Sequence, residues 1–252
     1  MKRFFAAIIF FSCISLSSNS QGDVRDSILR MSLFQFQGGY YYPGADMAER
    51  FGPNASIGFS YAYKTGKNIL IGADFNYFFG DRVINKDALF HNLRNSDGNV
   101  IGIEGQVVNF VIQERGFATG FYAGKIFPVF GPNRNSGLVV KLGINYLEHR
   151  IHIETREDDI PPLEGEYLKG YDRKTAGFAL NEFIGYQNFS NSRYINFFIG
   201  IDFYQGFTRS FRSYNIDLME SDQENRLDLL TGFKVGWVIP IYKQKDNSYY
   251  IR

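Results

Sequence analysis

The stretch Leu227-Asp228-Leu229-Leu230-Thr231-Gly232-Phe233-Lys234-Val235-Gly236-Trp237-Val238-Ile239-Pro240-Ile241-Tyr242 decides the fold. Its odd positions carry Leu229, Phe233, Val235, Trp237, Ile239 and Ile241, interrupted only by Thr231, and its even positions carry Asp228, Gly232, Lys234 and Gly236. Strict alternation places successive side chains on opposite faces of an extended strand. The same rhythm recurs upstream. Ile195, Phe197, Ile199, Ile201 and Phe203 oppose Asn196, Gly200 and Asp202, and Val140, Leu142, Ile144 and Tyr146 oppose Lys141, Gly143 and Asn145. Ile69, Ile71, Ala73, Phe75, Tyr77 and Phe79 oppose Gly72, Asp74 and Asn76, and Ile57, Phe59, Tyr61 and Tyr63 oppose Gly58, Ser60, Ala62 and Lys64.

A soluble sandwich turns the apolar face of such strands inwards, whereas a closed barrel in lipid turns it outwards. Three features favour the barrel. Aromatics gather near strand ends, at Tyr40-Tyr41-Tyr42, Tyr61, Tyr63, Tyr77-Phe78-Phe79, Tyr204 and Phe207, where an interfacial girdle would sit. Glycines recur on the polar face, where a narrow lumen needs room. Short connections (65–67, 131–137, 190–193) alternate with long polar ones (43–53, 80–104, 156–175, 209–225), the expected asymmetry of outer-membrane barrels.

Three turns and four loops make eight antiparallel strands, near 32–42, 54–64, 68–79, 117–130, 138–150, 176–189, 194–207 and 227–242. The reading is all-β: a closed, up-and-down transmembrane β-barrel, with ten strands as the alternative if Gln106–Glu114 crosses rather than projecting in a long hairpin. Two places resist. Phe121 and Tyr122 are adjacent in the fourth strand, where a bulge would restore the phase. Glu182 shares the parity of Phe178, Leu180 and Ile184, which calls for a bulge or another register.

Composition agrees. Aromatics are 17% of 252 residues, with 26 Phe, 17 Tyr and one Trp. The mean hydropathy of -0.22 suits strands that show only alternate residues to lipid. Residues 1–20 read as a secretory signal, with Lys2-Arg3, an apolar Phe4–Phe11 and Ser18-Asn19-Ser20 before cleavage at Gln21. Residues 21–252 are then one barrel domain with four long extracellular loops. Loss of Lys2 and Arg3 takes the formal charge from +1 to -1, which gives no argument for nucleic-acid binding. The single cysteine, Cys13, lies in the leader; a lipoprotein start there is a weaker alternative, because Phe10-Phe11-Ser12 is a poor lipobox.

The candidate lumen network is Lys64, Asp74, Asn76, Lys141, Asn145, Asp202 and Lys234, with Asn196, Gln35 and Gln37. Eight strands leave just enough width for side chains to fill, so these residues read as a paired plug rather than an ion path. The lipid-facing set is Ile57, Phe59, Ile71, Phe75, Val140, Leu142, Phe197, Ile199, Phe233, Val235 and Trp237. His149 and His152, three apart on a strand, face opposite sides and share no metal. A His149 constellation with Ser136 or Ser210 is the one catalytic arrangement the sequence offers, and nothing in the spacing compels it. The expectation is no enzyme, no metal and no cofactor. The mixed-charge loop 156–175 offers carboxylates to a divalent cation and bases to lipopolysaccharide phosphates, or is simply a solvated loop, and the apolar Ala88, Leu89, Phe90 and Leu93 either dock a partner or cover the barrel mouth.

From the Gln21 start, the alternating aromatic strands and the closing Gly236-Trp237-Val238-Ile239-Pro240-Ile241-Tyr242, the chain resembles the small outer-membrane β-barrels of Gram-negative bacteria, in the style of the OmpA/OmpX-like or PorT-like eight-stranded barrels of the Bacteroidota. The resemblance spans residues 32–242. It implies insertion by the barrel-assembly machinery, contact with outer-membrane lipids and lipopolysaccharide, and a structural or interaction role, as an accessory subunit of an envelope assembly or secretion complex. A lipid-modifying enzyme and a narrow pore are the alternatives.

Overall fold

The computed structural model describes residues 27–84, 86–108, 110–155, 165–190, 195–212, 214–216 and 219–242. The stretch read as a leader with its expected cleavage point, the tail from Lys243, residues 156–164 of the third loop and residues 191–194 of the last turn lie outside them. The strands are β1 (Met31–Ala45), β2 (Asn54–Lys64), β3 (Ile69–Gly80), β4 (Phe110–Phe127), β5 (Gly137–Thr155), β6 (Thr175–Asn188), β7 (Phe197–Ser210) and β8 (Asn225–Tyr242). Each pairs antiparallel with the next, and β1 pairs with β8 from Met31↔Tyr242 to Ala45↔Asp228, closing the barrel. Among the described residues no helix is long and apolar enough to cross a membrane, and the crossing falls to strands. The connections are loops L1 (46–53), L2 (81–109), L3 (156–174) and L4 (211–224) at one end, and turns T1 (65–68), T2 (128–136) and T3 (189–196) at the other.

The register is unbroken in all eight pairs. Following partners from Gln35 through Ser60, Asp74, Gly120, Asn145, Ala179, Gly206 and Asp228 returns to Ala45, ten residues further along β1. That stagger tilts the strands and sets the bore, which side chains fill.

The absence of bulges corrects two readings. Phe121 points out and Tyr122 in with no bulge between them, because β4 begins at Phe110 and holds one phase to Phe127. Its first turns pair with the end of β5, Phe110↔Thr155 to Gln113↔His152, beyond the last pairing of β3 and the first of β6. The segment 106–114 thus divides between an L2 bridge at Val107 and this projecting pair, and there are eight strands, not ten. Glu182 keeps its parity: it lies on the outer wall. A third correction concerns the girdle. Tyr40, Tyr42, Tyr61, Tyr63, Tyr77, Phe79 and Phe207 are exposed on the outer wall, but Tyr41, Phe78 and Tyr204 alternate inwards and are buried.

Glycine lets the wall close where β6 meets β7. Gly185 and Gly200 are register partners beneath the Phe183 ring. A Cβ on Gly200 would stand 2.4 Å from the Ile184 carbonyl oxygen, 2.5 Å from Gly185 Cα and 2.7 Å from Phe183 Cζ. Backbone cannot yield as a side chain can, so Gly200→Val should cost about 3 kcal/mol. The expected readout is a lower urea midpoint in lipid vesicles, set against an unchanged midpoint for Val235→Ala on the outer wall.

Candidate functional site: a sealed lumen and a capped mouth

The interior forms three layers. At the turn end, Met31, Leu33, Ala62, Leu70, Tyr122, Ile126, Val139, Phe183, Phe189, Phe198 and Val238 form an apolar floor. Polar groups hold it shut. Lys64 Nζ donates to Leu29 O at 3.0 Å and Asn135 Oδ1 at 2.8 Å, Asn135 Nδ2 donates to Ser27 O at 2.8 Å, and Asn133 Nδ2 of T2 donates to Phe189 O of T3 at 2.7 Å. Lys64 therefore meets carbonyl-type oxygens rather than a carboxylate.

The middle layer is a polar belt. Asp202, fully buried, takes an ion pair from Lys234 Nζ at 2.5 Å and hydrogen bonds from Tyr41 Oη and Asn181 Nδ2, both at 2.9 Å. Asp74 accepts from Asn145 Nδ2 at 3.0 Å and Asn76 Nδ2 at 3.2 Å, and Gln37 Nε2 donates to Asn76 Oδ1 at 2.7 Å. Lys141 joins belt to floor: its ammonium lies 4.4 Å from the Phe198 ring centroid, 5.1 Å from that of Phe183 and 5.2 Å from that of Tyr122. Such faces stabilise a cation that has left water. Six of the seven network residues thus lie in the belt or against it, and Lys64 lies in the floor. Gln35 and Gln37 are also buried inwards, while Asn196 belongs to T3, where it accepts from Ser190 N at 2.7 Å.

The upper layer is made by the loops folding over the mouth. Met47 and Phe51 of L1, Val83, Leu89, Phe90, Val100 and Val108 of L2, and Tyr171 of L3 are buried against Ile112, Ile151, Ile153, Tyr41 and Phe78. One-turn helices at Lys86–Leu89 and Gly165–Leu168 place Leu89 and Leu168 there. A Phe51↔Val83 bridge ties L1 to L2, and an Arg212–Asp172 ion pair ties L4 to L3. In L4, burial alone would push the Asp222 carboxyl up, but hydrogen bonds from Arg226 and the Glu224 amide hold it below the usual range.

Beneath the cap sits a buried polar cluster that the sequence reading missed. His149 Nε2 lies 2.8 Å from Asp228 Oδ2, and Thr208 Oγ1 donates to the same oxygen at 2.5 Å. Arg50 of L1 pairs with Asp228 and donates to Thr175 Oγ1, which stands 3.0 Å from His149 Nε2. Acid, imidazole and hydroxyl resemble a nucleophile triad in kind. Yet Arg50 engages both acid and hydroxyl, and all of His149, Asp228, Thr175 and Thr208 are buried, so substrate has no approach. Ser136 lies in T2 at the far end, and Ser210 donates to Arg212 O, so neither partners His149. His152 points out, on the opposite face from His149. The signal for this cluster was the inward parity of Asp228; Arg50 sits in a loop, where periodicity is silent.

The outer wall is the reverse of a soluble protein's surface. Ile57, Phe59, Ile71, Leu142, Phe197, Ile199, Phe233, Val235 and Trp237 are 38–66% exposed, and Phe75 and Val140 are partly exposed on the same face. Phe36 stacks on Trp237, and Phe59, Phe75 and Phe117 stack in a row across three strands. At the loop end this wall meets a cleft of about 270 Å³, lined by Tyr77, Arg115, Phe117, Glu148, Arg150 and His152. Arg115 and Arg150 are direct cross-strand partners on that face.

A closed barrel with an apolar exterior, aromatic belts and a buried polar interior is a membrane-spanning β-barrel of the outer-membrane class. No protein-family model matches the sequence, and no curated protein matches it. Among solved structures, Neisserial surface protein A is 11% identical, with 82% of this chain and 96% of that chain covered at a TM-score of 0.41. The attachment invasion locus protein of Yersinia pestis is 10% identical, with 84% and 99% covered at 0.39, and the outer membrane protein OprG of Pseudomonas aeruginosa is 9% identical, with 84% and 98% covered at 0.41.

Proposed function

We propose that this chain is a non-enzymatic barrel of a Gram-negative outer membrane whose lumen is structural and whose capped extracellular end binds protein, as an accessory subunit of an envelope assembly or secretion complex. The carrying observation is the layered interior: among the described residues floor, belt and cap leave no through-path, and the one acid–imidazole–hydroxyl cluster they form is sealed. Function then falls to the outside. The loops supply apolar surface there, with Ile101, Ile103 and Val107 of L2 at 40%, 67% and 53% exposure on a hairpin bridged at Ile101↔Val107. At the rim, like charges directly opposite are unfavourable unless an anion lies between them. Arg115 and Arg150 therefore suit the phosphates of lipopolysaccharide, above the Tyr77 and Phe117 rings. The leader ending at Ser20 and the closing β8 support export and insertion by the barrel-assembly machinery, and the aromatic strand style supports a Bacteroidota-type relative.

The test is capture of the tagged full-length chain from its own outer membrane in mild detergent. A fixed set of large envelope proteins is expected, and Ile103→Ser with Val107→Ser should release them while the heat-dependent gel shift of the folded barrel persists. Recovery alone would sink the subunit role, and stable conductance in planar bilayers would replace it with a pore.

A further inference from the structure

Glu182 is the one carboxyl or basic side chain that the described residues place on the middle of the outer wall. It lies mid-way along β6, with Leu180 and Ile184 above and below it on the same face and Leu142 and Phe203 as its register partners on β5 and β7. Phe178 stands between it and the loop end, and Tyr186 between it and the turn end. Lipid headgroups and water lie beyond those rings. A carboxyl in hydrocarbon needs hydrogen-bond donors, because nothing in lipid tails supplies them. Glu182 has one: Gln205 Nε2 of β7, 3.1 Å from both Oε1 and Oε2. Thr231, the single break in the apolar face of β8, is opposite Phe203 in register and exposed. Its hydroxyl makes no hydrogen bond among the described residues. Thr119, at similar depth on the far side, spends its hydroxyl on Asp74 O at 3.0 Å.

We propose that the β6–β7–β8 wall is an intramembrane interface between two copies of this chain, with Glu182, Gln205 and Thr231 at its centre. Depth excludes headgroups, so the missing donors come from a protein in the membrane. The patch selects a copy of itself because it carries acceptor and donor on the two strands that flank β7: across a two-fold axis along the membrane normal at β7, the Thr231 hydroxyl of one copy faces the Glu182 carboxyl of the other, and the reverse. Around them Phe178, Leu180, Ile184, Ile201 and Phe233, 42–72% exposed, supply the packing surface. In an isolated barrel the Thr231 hydroxyl thus serves nothing among the described residues, and a single amide, that of Gln205, serves both oxygens of Glu182.

This rests on the outer wall facing lipid, which carbonate-resistant pelleting and the heat-dependent gel shift report separately on the same samples. Two full-length copies with different tags are expressed in one outer membrane, and one tag is captured in mild detergent. The second tag is expected to follow. Glu182→Leu should reduce its recovery about tenfold, as loss of two symmetric hydrogen bonds in lipid implies, whereas Phe121→Leu on the opposite wall should leave it unchanged. Glu182→Leu removes a polar group from hydrocarbon, so the variant folds and the comparison holds. In a Cys13→Ser background, Thr231→Cys should give a homodimer adduct with a short thiol crosslinker in intact membranes. Absence of the second tag, recovery indifferent to Glu182→Leu, or a Thr231→Cys adduct to a different protein would each overturn self-pairing.

Discussion

Asp202→Leu is expected to destabilise the barrel by about 3–5 kcal/mol, the range for removing one partner of a buried ion pair. The cost comes from what is left behind. Asp202 is fully buried and accepts from three groups on three strands: Lys234 of β8, Tyr41 of β1 and Asn181 of β6. Without it, the Lys234 ammonium loses its ion pair and keeps as direct contacts the Tyr204 hydroxyl at 3.5 Å and the Tyr204 ring at 5.5 Å, and Tyr41 loses the Asp202 carboxylate as acceptor. Neither group can turn to water, because floor and cap close both ends. The double variant Asp202→Leu with Lys234→Met removes the stranded charge and should recover more than half of the loss. Urea unfolding in lipid vesicles of wild type, both single variants and the double variant gives the coupling. Equal loss in the Asp202 single and the double variant would show that the belt is held by packing of the Tyr41, Phe78 and Tyr204 rings, which contact one another edge-on.

Period two made the barrel legible. It is a property of single strands, so β2 was readable to the residue and most other strands to within three. It survived at Phe121-Tyr122 and at Glu182, the places where a bulge looked necessary. At Phe121-Tyr122 the adjacent rings are simply one lipid-facing and one floor residue. At Glu182 the pattern was right and the assumption that a carboxyl faces inwards was wrong. The same parity would have separated Tyr41, Phe78 and Tyr204 from the girdle, had composition near strand ends not been read ahead of it. What periodicity cannot see is contact between distant segments. Arg50 reaches Asp228 across 178 positions and Lys64 reaches Asn135 across 71. The closed mouth, the closed floor and the Arg50 cluster all depend on such contacts, and no local pattern announces them.

Asp228→Asn should cost about 3 kcal/mol and free the first loop. The carboxylate holds Arg50, His149 and Thr208 together at the top of β8. Asparagine keeps the shape but removes the charge that compensates a guanidinium only 13% exposed. It also turns one acceptor into a donor facing Arg50, Thr208 or His149. Arg50 carries L1 with it: the Phe51 ring stands edge-on to His149 at 5.4 Å, and Phe51 bridges to Val83 of L2. Release of Arg50 should therefore loosen L1 and the root of L2 together, and trypsin should cut at Arg50 in the variant while sparing it in the wild-type barrel in vesicles. Asp222→Asn, which touches the partly exposed pair with Arg226 and the bond from the Glu224 amide within L4, should cost under about 1 kcal/mol and leave Arg50 protected. If Arg50 stays protected in Asp228→Asn as well, the apolar seats of Met47 and Phe51 hold the loop alone, and the ionic cluster would serve the wall from β5 to β8 rather than the cap.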